Sequence, residues 1–255
     1  MKGKNMKTTL KKIALIFGLV AVMVAALALC VSAEKADFTP PADFSDITPA
    51  NGWVQIGSKS AAADDDGKDI ELYYIKDAEA YLNRGTKTLV VLGKGNLTGS
   101  YGDWNVSATK NTPGAKYYLI WWAASNSDQV EHIEFRQCGP FNNGAFILQM
   151  YKHAKTVKLA TTANGTYGSK QGTGLFAGMT SLTTVGHGNF GADGKFTPVT
   201  YKENVVDMTG FTYLRPAGGE GDSKAVMYQG GMFYNCASIT EVIFPQSMKI
   251  GRAHV

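Results

Sequence analysis

The stretch "MFYNCASITEVIFP" (232–245) decides the fold of this chain through the spacing of its apolar residues. These residues follow one another at intervals of three, three, three and two: Phe233, Cys236, Ile239, Val242 and Phe244. An interval of three suits tight turns or a short helix, whereas an interval of two is the period of a β-strand. Because one such unit cannot bury its own apolar side, we expect several units to stack, with their strands side by side in a parallel sheet.

The same frame fits four further stretches of the chain. Its positions there are Ala124, Ser127, Val130, Ile133 and Phe135; Leu148, Tyr151, Ala154, Val157 and Leu159; Phe176, Met179, Leu182, Val185 and His187; and Lys202, Val205, Met208, Phe211 and Tyr213. Over the five frames 22 of the 25 positions are apolar. The final positions of successive frames are 24, 28, 26 and 31 residues apart, which is the period of stacked-repeat folds.

Two of these stretches carry a resemblance to a known family. "MFYNCASITEVIFP" and, more weakly, "LFAGMTSLTTV" resemble the BspA-type leucine-rich repeats of bacterial surface proteins. In that family a phenylalanine, a cysteine and a Ser-Leu-like pair lead into a short strand that proline often closes. The segment "DAEAYLNRGTKTLVVLG" also looks like the one that often precedes such repeats. The resemblance implies an α/β, solenoid-like leucine-rich repeat array, and attachment to host or matrix proteins or to other cells.

The first 33 residues have the pattern of a secretory signal peptide. Five lysines precede the uncharged apolar run Ile13–Leu29, and Val31-Ser32-Ala33 is a small-residue cleavage motif. We expect cleavage between Ala33 and Glu34, and hence a secreted or cell-surface protein. The alternatives are a retained membrane anchor, since the run is just long enough to span, and lipidation of Cys30, although Leu29 stands where a small residue is usual.

The charge balance argues against a nucleic-acid partner. The chain has 25 basic and 21 acidic residues, but five of the lysines belong to the signal. Its removal leaves 20 basic and 21 acidic residues, a net charge of −1. The basicity therefore indicates neither nucleic-acid nor membrane-surface binding. The partner we expect is an extracellular protein or a glycan, with membrane contact only through the signal or a lipid anchor.

Composition and pattern divide the mature chain into three parts. The proline-rich residues 34–52 read as a linker. Residues 53–123 read as a small α+β lead-in unit, in which "DIELYYI", "TKTLVVLG" and "AKYYLIWWA" are predicted strands and "KDAEAYLNRG" a short helix. The repeat array occupies 124–248. We expect it to be truncated, because "IGRAHV" (250–255) is what a common sequencing adapter encodes when translated, so that 249–255 are an artefact.

The cysteine in the opening stretch could be a nucleophile, a metal ligand, half of a disulfide or a packing residue. Its position in the frame is filled elsewhere by Met179, Tyr151 and Val205, which predicts a buried, inert thiol. A bond between Cys138 and Cys236 would have to span four strand steps of about 4.8 Å each. That separation exceeds the Cα distance of about 7 Å that a disulfide tolerates.

No motif for catalysis, a cofactor or a metal ion stands out. The histidines His132, His153, His187 and His254 form no ligand pair, and His187 reads as a hydrogen-bonded core residue. "DDDGKDIE" (64–71) does not follow the calcium-loop pattern and is read as a solvated turn, with weak calcium binding as the alternative. We expect Trp121 and Trp122 to belong to the core, with a sugar-stacking platform as the alternative.

These observations predict a non-catalytic surface binding or adhesion module. Its contact surface would be the strand residues that point outward between inward positions, which we call the outward row: Glu134, Lys158, Gly186, Thr212 and Ile243. The alternative is a carbohydrate-binding accessory module of a secreted polysaccharide-degrading system. A third reading is a structural spacer on the cell surface.

Overall fold

A computed structural model describes residues 34–58, 72–74, 78–95, 119–138, 148, 150–161, 175–200, 202–210, 233–244 and 246. In these residues the protein is strand-rich, with few helical segments and a sheet that contains parallel strands. No helix within the described ranges is long and apolar enough to cross a membrane. The signal segment, Ala33, Cys30 and 249–255 lie outside these ranges.

The described strands form one mixed sheet. They are β1 (Trp53–Ser58), β2 (Tyr73–Tyr74), β3 (Ala78–Asn83), β4 (Thr88–Gly95), β5 (His132–Cys138), β6 (Thr156–Thr161), β7 (Thr184–Phe190), β8 (Phe196–Thr200), β9 (Val206–Asp207) and β10 (Val242–Ile243). Their order is β10-β9-β7-β6-β5-β4-β3-β1-β2, and β8 pairs with β7 outside this path. The helical segments are the α-helix α1 (Leu119–Asn126) and the 3₁₀ turns Pro49–Asn51 and Ser127–Gln129.

The parallel strands from β4 to β10 share one inner row of apolar side chains. Consecutive pairings align, in order, Leu89, Ile133, Val157, Val185, Val206 and Val242. All but Val242, which is half-buried, are buried. The fourth frame positions Ile133, Val157, Val185 and Val242 therefore lie in one row, which Leu89 and Val206 complete, and the predicted parallel sheet is confirmed in these strands.

The interval of three is realised as tight turns. In each turn the amide of one frame residue donates to the carbonyl of the frame residue before it. The N···O distances are 3.1 Å from Met179 to Phe176, 3.1 Å from Leu182 to Met179, and 3.1 Å from Cys236 to Phe233. Such turns aim every third side chain inward and leave the residues between them at the surface, which is why the frame is regular.

Successive turns are stacked on one another. The amide of Ser181 donates to the carbonyl of Lys152 (3.1 Å), and the amide of Gly178 donates to the carbonyl of Tyr234 (2.8 Å). The rings of Phe176 and Phe233 lie parallel with their centroids 5.7 Å apart. The turn of the last frame thus lies directly on the turn that precedes β7.

This stacking corrects the predicted frame at 202–213. That frame places its strand at Phe211–Tyr213 and none at 206–207, where the structure has β9, with Val206 paired to Val185. Lys202 is exposed, although Val205 and Met208 are buried as predicted. The amide of Val205 donates to the carbonyl of Lys202 (3.3 Å), in the same kind of tight turn as in the other units, and β9 follows between β7 and β10. Phe211 and Tyr213 lie outside the described residues.

Two predictions in the lead-in unit are wrong. "KDAEAYLNRG" was expected to be helical, but 78–83 form strand β3, which pairs antiparallel with both β1 and β4. Pairing along both edges outweighs the helical propensity of Ala78, Glu79, Ala80 and Leu82. "AKYYLIWWA" was expected to be a strand, but 119–126 form α1. A short apolar run fits a buried helix as well as a buried strand. "TKTLVVLG" is confirmed as β4, and the described part of "DIELYYI" contains β2.

The prediction of a linker at 34–52 is wrong as well. Phe44 and Ile47 are buried and Phe38 is nearly so, in a second apolar cluster with Trp53, Tyr81 and Val90. Lys35 pairs with Gln55 at the start of the segment, and the Thr48 side chain accepts from the amide of Asn51 near its end. The prolines gave the segment a linker-like composition, but its apolar residues pack against the sheet.

Truncation of one inner residue tests the stacked core. Leu182 is fully buried, whereas Ile239 occupies the same frame position in the last unit and is half-buried. Leu182→Ala should lower the free energy of unfolding by about 2–5 kcal/mol, because it leaves a cavity. Ile239→Ala removes as many carbon atoms and should cost about half as much or less. Equal losses in urea denaturation would contradict the difference in packing.

Candidate binding surface

The first three residues of the outward row lie side by side on neighbouring strands. Glu134 on β5 pairs with Lys158 on β6, which pairs with Gly186 on β7. Thr212 lies outside the described residues. The residue that pairs with Ile243 is Asp207 on β9. The sequence placed four of the five residues by period alone and missed Asp207, because it assigned the wrong strand to that stretch.

The expected exposure of this row is wrong over most of its length. Glu134 and Asp207 are only 7% and 3% exposed, and Gly186 is buried. Lys158 is half-buried, and Ile243 at the far end is 40% exposed. The outer face of the sheet is therefore covered at β5 and β7 and open at β10.

Two segments provide the cover. One is the N-terminal strap, by which we mean residues 38–47. The other is β8, which folds back antiparallel on β7. A Cβ atom on Gly188 would stand 2.3 Å from the carbonyl oxygen of Thr197, so only glycine lets β8 approach this closely. The two segments touch, because both the amide and the hydroxyl of Ser45 donate to the carbonyl of Ala192 (2.8 Å each).

A buried ion cluster lies beneath the strap, centred on Arg136 of β5. Its Nη1 donates to both carboxylate oxygens of Asp46 (2.9 and 2.8 Å), and its Nη2 and Nε donate to Oε2 of Glu134 (2.7 and 3.1 Å). Lys158 Nζ donates to the other oxygen of Glu134 (3.0 Å). The two positive and two negative charges offset each other, which reduces the free-energy cost of burying them.

Aromatic rings complete the surroundings of this cluster. The guanidinium carbon of Arg136 lies 4.5 Å from the ring centroid of Phe190 and 5.3 Å from that of Phe44. Lys158 Nζ lies 5.5 Å from the ring centroid of Phe196. The sequence analysis did not single out Arg136. The available signal was its position two residues after Glu134, which places both on the same side of a strand.

The residues predicted to form the repeat core differ in burial along the array. Phe176, Met179, Leu182 and Val185 are buried. The equivalent residues of the last described unit, Phe233, Cys236, Ile239 and Val242, are half-buried and pack against the same core. Phe244 was assigned to an inward position but is 44% exposed, since within the described residues β10 has a neighbouring strand on one side only.

Cys236 is a free, half-buried thiol. Its Sγ–H donates to the carbonyl of Phe176 at 2.9 Å. Burial raises the pKa of the Cys236 thiol to about 11, against the opposing effect of the Met179 and Gly178 amides. A thiol protonated at neutral pH is a poor nucleophile, which agrees with the packing interpretation.

The other residues that could take part in binding or catalysis are scattered over the described structure. Imidazole Nε2 of His187 is buried 2.6 Å from the carbonyl oxygen of Asp207. His132 lies at the start of β5 against Thr156, and His153 is exposed. Trp122 is 3% exposed and so cannot serve as a sugar platform; nothing is described of the Trp121 side chain. Glu34 forms an ion pair with Arg84. Among the described residues no three acidic, histidine or cysteine side chains are placed to hold a metal ion.

Comparisons with protein-family models, with curated proteins and with solved structures find no match for this chain.

The buried histidine predicts a pH dependence of stability. Burial lowers the pKa of His187 below its ordinary value of 6.5. As the pH falls, the His187 imidazole therefore takes up its proton at a higher pH in the unfolded chain than in the folded chain. The stability associated with the neutral, buried imidazole is complete above about pH 6.5 and is lost as the pH falls below it. Urea denaturation midpoints between pH 7.5 and pH 5 should fall. The fall should be smaller in His187→Gln, and an unchanged slope in this variant would contradict the assignment.

The raised pKa of Cys236 predicts slow alkylation. In the native protein at pH 7.5, iodoacetamide should modify the Cys236 peptide much more slowly than in the same protein in urea, as followed by mass spectrometry. The native rate should rise steadily as the pH approaches about 11. Fast native labelling at neutral pH would show that the thiol is activated, contrary to a packing role.

Proposed function

We propose that this protein is an exported, non-catalytic binding or adhesion module of the cell surface, built as a leucine-rich repeat array of the BspA type. The observation that carries this proposal is the row of inward apolar residues from Leu89 to Val242, aligned across consecutive parallel strands. A chain organised in this way offers a long, regular surface, and stacked-repeat proteins commonly bind macromolecules through such surfaces.

The residues near the end of the described array favour a protein partner. Ile243 is 40% exposed, Phe244 44% and Tyr234 63%. Glu241, two residues before Ile243, forms an exposed ion pair with Lys202, in which Nζ and Oε2 lie 3.6 Å apart. Exposed aromatic and aliphatic side chains near charged groups are typical of protein–protein contact surfaces. We place the contact at this open end of the outward row, since Glu134 and Gly186 are covered.

A pair of matched variants tests the proposal. The exported protein should bind immobilised matrix proteins such as fibronectin or collagen, or whole host cells, in surface plasmon resonance and adhesion assays. Ile243→Lys should weaken this binding at least about tenfold, because it places a charge in an apolar contact. Val199→Lys adds the same charge at an apolar residue of β8 that is 73% exposed, and should leave binding unchanged.

The same protein on a glycan array separates the alternatives. Strong glycan binding without matrix or cell binding would favour the carbohydrate-binding module and contradict the proposal. Binding to neither would favour a spacer. Equal losses in Ile243→Lys and Val199→Lys would support adhesion but move the contact away from β10.

A further inference from the structure

The N-terminal strap is held to the sheet mainly by side chains. Lys35 and Gln55 exchange main-chain hydrogen bonds (2.8 and 3.0 Å) before the strap begins, and the Trp53 amide donates to Thr48 (3.3 Å) after it ends. Within the strap, the amide of Ser45 donates to the carbonyl of Ala192 (2.8 Å), which lies in the turn between β7 and β8 and not in a strand. A segment anchored in this way can lift locally at a lower cost than a strand can leave the sheet.

Phe38 packs on Tyr81 at the start of the strap, with ring centroids 4.9 Å apart, and three side chains near its end contact the outer face. The Phe44 ring packs on the guanidinium of Arg136, and both oxygens of Asp46 accept from Nη1 of that residue. Ile47 is fully buried in the cluster with Trp53 and Tyr81. The strap therefore binds through an aromatic residue, an acidic residue two positions later, and an apolar residue next to it.

The surface beneath the strap has the complementary chemistry. Without Asp46, Glu134 would be the one carboxylate left among the described partners of Arg136 and Lys158. Phe190 offers an aromatic ring 4.5 Å from the guanidinium carbon. This surface therefore favours a carboxylate in place of Asp46, held by the neighbouring rings.

From this arrangement we infer that the outer face of the sheet at β4, β5 and β7 is a peptide-binding site, occupied in cis by the strap. Its ligand is an extended segment of another protein with the pattern aromatic-x-acidic-apolar, as in Phe44-Ser45-Asp46-Ile47. The apparent affinity for such a segment is reduced by the fraction of molecules in which the strap is closed. The strap is thus an autoinhibitory cover, and the inference does not depend on the surface proposed at β10.

Two variants open the strap without touching the sheet residues. Asp46→Asn removes the charge that Arg136 binds. Gly194→Ala acts from the β7–β8 turn, where a Cβ atom would stand 2.2 Å from the carboxyl carbon of Asp46 and where φ is +75°. Asp37→Asn is the matched control, because Asp37 lies in the same N-terminal segment and is exposed.

The probe is a fluorescent peptide with the sequence of residues 36–49, added to the full protein and followed by anisotropy. Both opened variants should bind it at least about tenfold more tightly than the wild type and Asp37→Asn, because a larger fraction of molecules is open. A peptide with asparagine at the position of Asp46 should bind weakly. Adding Arg136→Met to Asp46→Asn should abolish the gain.

Limited chymotrypsin digestion reports the strap itself. Cleavage after Phe38 and Phe44 should be several-fold faster in the two opened variants, while far-UV circular dichroism stays that of the wild type. Faster cleavage without tighter peptide binding would overturn the inference. Unchanged cleavage, or loss of the fold in both variants, would also overturn it, since the strap would then be a fixed part of the core.

Discussion

The structure depends on the inner row of apolar residues that runs from Leu89 to Val242 across the parallel strands. Each unit contributes one inward residue to this row, and that residue is buried only when a neighbouring unit packs against it. The tight turns serve this constraint by aiming every third side chain inward, and their carbonyls bind the amides of neighbouring turns. The partial burial of Phe233, Ile239 and Val242 follows from the same rule, since fewer described neighbours cover them.

The opposite face of the sheet is organised by ion pairs centred on Arg136. Arg136 gathers Asp46 from the N-terminal strap and Glu134 from its own strand, and the hairpin of β7 and β8 closes over the same region. Asp46, 90 positions before Arg136 in the sequence, is thereby part of the cover over the outer face. Both the binding site inferred beneath the strap and the open end at β10 follow from how far this cover extends.

Much of the inner face was predictable, because the spacing of the apolar residues along the chain indicates which side chains point inward. Phe176, Met179, Leu182 and Val185 occupy buried positions that their spacing indicated. Period also placed Glu134, Lys158 and Gly186 in one register. It could not place β9, because the frame through Val205 and Met208 gives Val206 no inward position. It could not distinguish helix from strand at 119–126, where a short apolar run suits both.

Local spacing and the need to bury one apolar side were enough to predict the inward frame and the parallel pairing of strands. Which residues of the outer face meet solvent depends on contacts between distant segments. Asp46 reaches Arg136 and Ser45 reaches Ala192 through contacts between distant segments. Local composition, which made residues 34–52 look like a linker, contains no information about such contacts, since they arise only once the sheet has brought β5 and β7 together.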